Sequence, residues 1–153
     1  MPGPHVLIVE ARFYVELADH LVSGASAVLD AEGASYTREW VSGSFELPAA
    51  IRFAIEAQRS KDSARRFDGF IALGCVIEGE TDHYDHICRE ASRGLMDLTL
   101  DYAAPLGFGV LTCRTYDQAL ERAAVDRKNK GADAARACLR MIELKRKLMQ
   151  ADA

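Results

Sequence analysis

The sequence predicts an α/β fold, a three-layer αβα sandwich on a four-stranded parallel sheet. Strand-length segments at 5–10, 35–41, 69–77 and 106–112 alternate with longer stretches whose apolar residues recur at helical spacing. Crossovers of that length join strands in parallel, through right-handed connections. Apolar runs such as Phe70 to Ile77 need cover on both faces, so helices belong above and below the sheet. At 153 residues and 49% hydrophobic content the chain can build one compact domain, residues 1–153, with a substantial core.

The first strand is His5 to Glu10. A helix follows from about Tyr14 to Asp30, with Leu17, Leu21, Ala25 and Val28 on one face and Gly33 just past its end. The second strand, Ser35 to Val41, is the most polar and suits a sheet edge. Pro48 opens the second helix, where its missing N–H does no harm. Lys61 to Arg66 reads as a polar surface connection. The third strand is Gly69 to Ile77, followed by a helix from about Tyr84 to Tyr102, and the fourth strand is Leu106 to Thr112. Thr115 with Gln118 three residues later is a capping-box signature for a fourth helix ending near Ala123. A last helix from about Asn129 turns Ala134, Cys138, Met141, Ile142 and Leu148 inward.

A formal charge of −4 argues against a polyanion-binding surface, so no nucleic-acid partner is expected. Lys145, Arg146 and Lys147 read as helix-end charges that favour the dipole. The apolar run Val6 to Val9 is too short for a signal peptide, and no later run has membrane-spanning length, so no membrane partner is expected. Four cysteines, Cys75, Cys88, Cys113 and Cys138, sit inside apolar patterns without paired spacing. That usage suggests a reduced, cytoplasmic chain with buried thiols.

Four groups of residues could carry chemistry. Arg12-Phe13-Tyr14 follows the first strand, where Phe13 can either stack on a planar ligand or staple the helix entry. Gly43-Ser44-Phe45-Glu46-Leu47-Pro48 precedes a helix, and Glu46 can accept hydrogen bonds from a polyol or stabilise the helix dipole. Gly74-Cys75-Val76-Ile77-Glu78-Gly79-Glu80-Thr81-Asp82-His83 carries a buried strand through a polar turn to a histidine at a helix start. Backbone N–H groups there can hold an anion without a basic side chain, and His83 is a proton-transfer candidate or a structural residue. The fourth group is Phe108, Arg122, Lys130 and Asp133; Arg122 suits phosphate or an ion pair with Glu121 or Asp126. His83, His86 and Cys88 lie close in sequence but lack a second pair of ligands, so no metal site is expected.

Together these groups resemble the lumazine synthase family, over nearly the whole chain. The resemblance rests on Arg12-Phe13, on Gly43 to Pro48 in the pattern G-[AS]-x-E-[IL]-P, on Gly74 to His83 in the pattern G-x-V-I-x-G-x-T-x-H, and on Asn129-Lys130-Gly131. It implies a flavodoxin-like arrangement and an enzyme that needs no cofactor. The implied reaction condenses 5-amino-6-ribitylaminouracil with 3,4-dihydroxy-2-butanone 4-phosphate into 6,7-dimethyl-8-ribityllumazine, the penultimate step of riboflavin biosynthesis, with release of phosphate and water.

By the same resemblance, Phe13 stacks on the pyrimidine, Ser44, Phe45 and Glu46 contact the ribityl chain, and the Cys75, Val76 and Ile77 backbone reads the pyrimidine edge. Glu80 and Thr81 belong to the phosphate-binding turn, and His83 is the catalytic proton-transfer residue. Phe108, Arg122 and Lys130 match groups supplied by a neighbouring subunit, Asp133 matches an acid near that lysine, and self-association as a homopentamer is implied, with a decamer as the alternative. The chain departs from the family pattern at Tyr14, at Ser42 and at Glu78, which stands where a basic residue is frequent and is expected to weaken the attraction for an anionic substrate. A flavin- or nucleotide-binding module and a structural shell protein are the alternatives from other classes.

Overall fold

The most apolar strand lies inside the sheet. In the computed structural model, which describes residues 3–60, 66–79 and 83–150, the strands are β1 (His5–Ala11), β2 (Ser35–Val41), β3 (Gly69–Ile77) and β4 (Leu106–Cys113). All pair in parallel, in the order β2-β1-β3-β4. The helices are α1 (Val15–Ala31), α2 (Leu47–Gln58), α3 (His83–Tyr102), α4 (Tyr116–Ala123) and α5 (Lys130–Met149). Residues of β3 alternate between two cores. Ile71, Leu73 and Cys75 pack with α1, α4 and α5, whereas Phe70, Ala72 and Val76 pack with α2 and α3. That gives the expected three-layer, flavodoxin-like α/β arrangement.

Local chemistry accounts for the element ends. Gly33 adopts φ 73° just past α1, a left-handed conformation that glycine takes without a Cβ penalty. The polar strand β2 is an edge strand, as its composition predicts. Thr115 accepts a hydrogen bond from the Gln118 N–H at 3.1 Å, but Gln118 Oε1 accepts from the Arg114 N–H at 3.0 Å. The reciprocal arm therefore reaches one residue further back than a capping box.

Other expectations need correction. Within α5, Ala134, Cys138 and Ile142 are buried, but Met141 and Leu148 are exposed. Adjacent residues on a helix point about 100° apart, so Met141 and Ile142 cannot both face the sheet. Ile142 already lies against Gly69, the first residue of β3, so Leu148 extends past the end of the sheet. In α1 Val28 packs half-buried against the core with Leu17, Leu21 and Ala25, and Leu29 beside it is fully buried. Cys88 is half-buried, whereas Cys75, Cys113 and Cys138 are buried. Of the expected Lys61 to Arg66 connection, only Arg66 lies within the described residues.

Helix α5 approaches its neighbours closely. A Cβ on Gly131 would stand 2.0 Å from the Leu21 carbonyl oxygen of α1, and one on Gly107 would stand 2.0 Å from the Ala134 carbonyl oxygen. Both obstacles are backbone, so relief requires moving a whole helix. Gly131→Ala is therefore expected to cost at least ~1–3 kcal/mol by overpacking. Urea unfolding with an unchanged midpoint would show that α5 can shift freely.

Candidate active site

Strands β1 and β3 end at different heights, and the pocket forms in the step between them. Pairing of β3 with β1 stops at Glu10↔Leu73, whereas pairing with β4 continues to Ile77↔Cys113. The β1-facing edge of residues 74–77 thus has no strand partner among the described residues. A concavity of about 490 Å³ opens there, lined by Phe13, Tyr14, Ser42, Gly43, Ser44, Phe45, Glu46, Cys75, Val76, Ile77, Gly79, His83, Tyr84 and Ile87. Backbone groups along that edge can pair with the polar rim of a flat heterocycle, while the surrounding side chains supply an apolar wall.

Each lining segment has a local reason for its place. Phe13 is 72% exposed, and among the described residues its one aromatic neighbour is Tyr14, in a T-shaped pair with centroids 4.9 Å apart. An exposed ring cannot staple a helix entry, which leaves its face open for stacking. Tyr14 in turn meets Tyr116 edge-on at 6.3 Å, and burial raises the Tyr14 phenol pKa. The Ser44–Glu46 segment forms a single 3-10 turn that the sequence pattern did not distinguish from a loop. Glu46 Oε1 accepts the Gly43 N–H at 3.1 Å, so one carboxylate oxygen holds this turn closed.

Ser44 is 5% exposed, yet its hydroxyl has no hydrogen-bond partner among the described residues. A Cβ on Gly74 would stand 2.6 Å from that oxygen, so the glycine lets the turn settle on the strand. A buried hydroxyl without a partner costs free energy, and a ligand hydroxyl can satisfy it. At the strand end, burial together with neighbouring Cys113 pushes the Cys75 thiol up to about 12, so this sulfur stays protonated. His83 is exposed at the first position of α3, above Tyr84 and Ile87. Tyr84 and Ile87 pack on the core while also lining the pocket.

Eight predicted site residues therefore converge: Phe13, Ser44, Phe45, Glu46, Cys75, Val76, Ile77 and His83. Glu80 and Thr81 lie outside the described residues. Phe108 and Lys130 are elsewhere, lining a second depression of about 380 Å³ on edge strand β4 and the start of α5, together with Asp133. The two concavities share no residue. Arg122 lines neither and donates to the Cys113 sulfur at 3.1 Å. Glu121 pairs with Arg127 at 3.1 Å, and among the described residues Arg122 forms an ion pair with neither Glu121 nor Asp126.

Glu78 is not an isolated acid. Arg114, at the end of the adjacent strand, approaches it at 3.8 Å, and the Glu78 N–H donates to the Cys113 carbonyl at 2.9 Å. The positive charge beside it offsets the field that Glu78 alone would project. Among the described residues no group of three or more His, Cys, Asp or Glu side chains could hold a metal ion, and no helix is long and apolar enough to cross a membrane.

Thiol reactivity follows from these environments. Iodoacetamide at about pH 8 is expected to label Cys88 first and Cys75 and Cys138 last, since burial also pushes Cys138 up to about 12. Peptide mass spectrometry reads the order, and a Cys75 adduct forming as fast as in urea would contradict it.

The sequence matches the family profile of 6,7-dimethyl-8-ribityllumazine synthase over residues 3–146. It is 49% identical over 143 residues to the 6,7-dimethyl-8-ribityllumazine synthase of Paramagnetospirillum magneticum, covering 94% of this chain and 95% of the relative. The synthase of Agrobacterium fabrum is 48% identical over 148 residues, covering 97% and 99%. Synthase 1 of Rhizobium meliloti is 47% identical over 144 residues, covering 94% and 93%.

Proposed function

The chain belongs to the 6,7-dimethyl-8-ribityllumazine synthase family and catalyses that family's condensation of 5-amino-6-ribitylaminouracil with 3,4-dihydroxy-2-butanone 4-phosphate, and we propose that the pocket at the carboxyl ends of β1 and β3 is where it does so. It is a transferase of riboflavin biosynthesis. The observation that carries the site assignment is the convergence on one pocket of eight predicted residues from segments far apart in the chain.

Phe13 stacks on the pyrimidine ring, and the unpaired edge of residues 75–77 reads its polar rim. Ser44, Phe45 and Glu46 contact the ribityl chain; the unpartnered Ser44 hydroxyl and the second Glu46 oxygen supply hydrogen-bonding groups suited to a polyol. The 5-amino group attacks the ketone, and loss of water gives an imine. Phosphate leaves, and closure by the ribityl-bearing nitrogen expels a second water. Both substrates bring their own electrophile and nucleophile, so the reading requires no cofactor. Holding them face to face lowers the entropic part of the barrier, and His83 moves protons between nitrogen, carbon and oxygen. By the family resemblance, Glu80 and Thr81, which lie outside the described residues, hold the phosphate.

His83→Ala is expected to lower kcat by about 10²–10⁴-fold, the usual contribution of one positioned acid-base group, with both KM values nearly unchanged. Appearance of the lumazine chromophore provides the assay. An unchanged rate removes His83 from the mechanism, and no chromophore from the wild-type protein favours a flavin- or nucleotide-binding module instead.

The second depression belongs to the next subunit's site. Phe108, Arg122 and Lys130 of one chain then face Phe13, Glu46 and His83 of another, and a ring of five closes the arrangement, with a decamer as the alternative. Exposed Trp40, Phe53, Met96 and Leu100 supply apolar surface for such contacts. We place the enzyme in the cytoplasm, in keeping with four free cysteines. Light scattering is expected to give a pentameric mass. Impaired His83→Ala and Arg122→Ala variants, dissociated and reassembled together, should regain activity, because some mixed interfaces restore one intact site. A fully active monomer, or no recovery on mixing, would overturn the shared site.

A further inference from the structure

Glu10 is the acid in the otherwise apolar carboxyl half of β1, and it is 3% exposed. Both of its carboxylate oxygens are used. Oε1 accepts from Arg12 Nη1 and, at 2.8 Å, from Arg38 Nη2; Oε2 accepts from Arg38 Nε at 2.9 Å. Arg12 extends the cluster, donating through Nη2 to Asp19 of α1 at 2.7 Å. Its backbone N–H donates to the Val41 carbonyl at the end of β2, at 3.0 Å. One residue is thus tied to β1, β2 and α1, and the next residue is Phe13.

Phe13 has little else to place it. Its ring is 72% exposed and its one aromatic neighbour among the described residues is Tyr14, which packs on the core, so its direction is set largely by the backbone between Ala11 and Val15. Within that connection Arg12 holds the ties to three elements. The cluster is charge-balanced, with Glu10 and Asp19 against Arg12 and Arg38. A buried ion pair generally stabilises a fold no better than an apolar pair of the same volume, so its consequence here is geometric. Guanidinium forks fix orientation as well as distance.

We propose that Glu10, acting through the Arg12 guanidinium, is a positioning residue that fixes the Phe13 ring as the platform for the planar face of the ribitylaminouracil. The assignment rests on the reading of Phe13 given above. Because the cluster acts on one substrate's ring, its loss separates the two substrates, which general loosening of the fold does not.

The test compares the wild-type oligomer with Glu10→Gln, Phe13→Ala and the double variant, measuring KM for each substrate by lumazine formation. Glu10→Gln is expected to raise KM for the ribitylaminouracil about tenfold, the upper end of what a displaced ring stack contributes. KM for the butanone phosphate should stay within about twofold, and the double variant should be no worse than Phe13→Ala, because residues acting through one contact are non-additive. Asp19→Asn, at an exposed position, should raise the same KM by a smaller factor and carries the test alone if Glu10→Gln does not fold. Equal rises in both KM values, a wild-type KM, or effects that multiply in the double variant overturn the role of Glu10. A wild-type KM for Phe13→Ala instead removes the platform itself, and the proposal with it.

Discussion

Strand β3 remains paired with β4 for four residues beyond its last pair with β1, and the candidate site depends on that offset. Within the sheet, β3 is hydrogen-bonded on both edges and covered on both faces, so it offers nothing to a ligand. Past Leu73 the β1-side edge loses its strand partner, and polar backbone appears inside an apolar surround. Buried backbone groups require partners, and a heterocycle with donors and acceptors along one edge supplies them. Phe13, the Ser44–Glu46 turn and the start of α3 enclose that edge, the first two following the carboxyl ends of β1 and β2.

Much of this was legible because strand and helix have different periods. The continuous apolar run of β3 and the alternation of strand-length with helix-length segments identified the layers, and the polarity of β2 identified an edge. Contacts between residues distant in sequence were not legible. Nothing in the order of residues says that Glu10 meets Arg38 across β1 and β2, or that Arg114 stands beside Glu78. Met141 and Leu148 were misplaced for a related reason, since apolar spacing reveals a helix face but not where the sheet beneath it ends. The 3-10 turn at Ser44 was also hidden, because Gly43 to Pro48 fits a loop and a helix start equally well. The motifs located the site better than any single residue could, because they fall at successive strand ends.

The chain distributes its polar chemistry over two faces. One, on the carboxyl ends of β1 and β3, is deep and mostly apolar; the other, on edge strand β4 and the start of α5, is a shallower surface with Phe108, Lys130 and Asp133. An exposed sheet edge is a natural place for a second chain to approach, and an aromatic ring with a cation on that edge suits contact with a stacked, phosphorylated ligand. Under the shared site proposed above, the fold of one chain and the activity of its assembly are separate problems, with the β3 core bearing on the first and the surface around Phe108 on the second.

Net charge is a poor guide to such a site. The chain carries −4 overall, yet the charges near the carboxyl ends of β3 and β4 are locally compensated, Glu78 by Arg114, while the Arg122 guanidinium rests on the Cys113 sulfur and the Thr112 carbonyl. Between exposed groups, salt screens interactions beyond roughly 10 Å, so an anion at the strand ends responds to these neighbours and not to distant acids. Among the described residues Arg122 pairs with no carboxylate, since the sulfur and carbonyl that accept from its Nη1 do not neutralise it. A guanidinium oriented by uncharged acceptors keeps its charge available, which suits the phosphate-binding role proposed for Arg122.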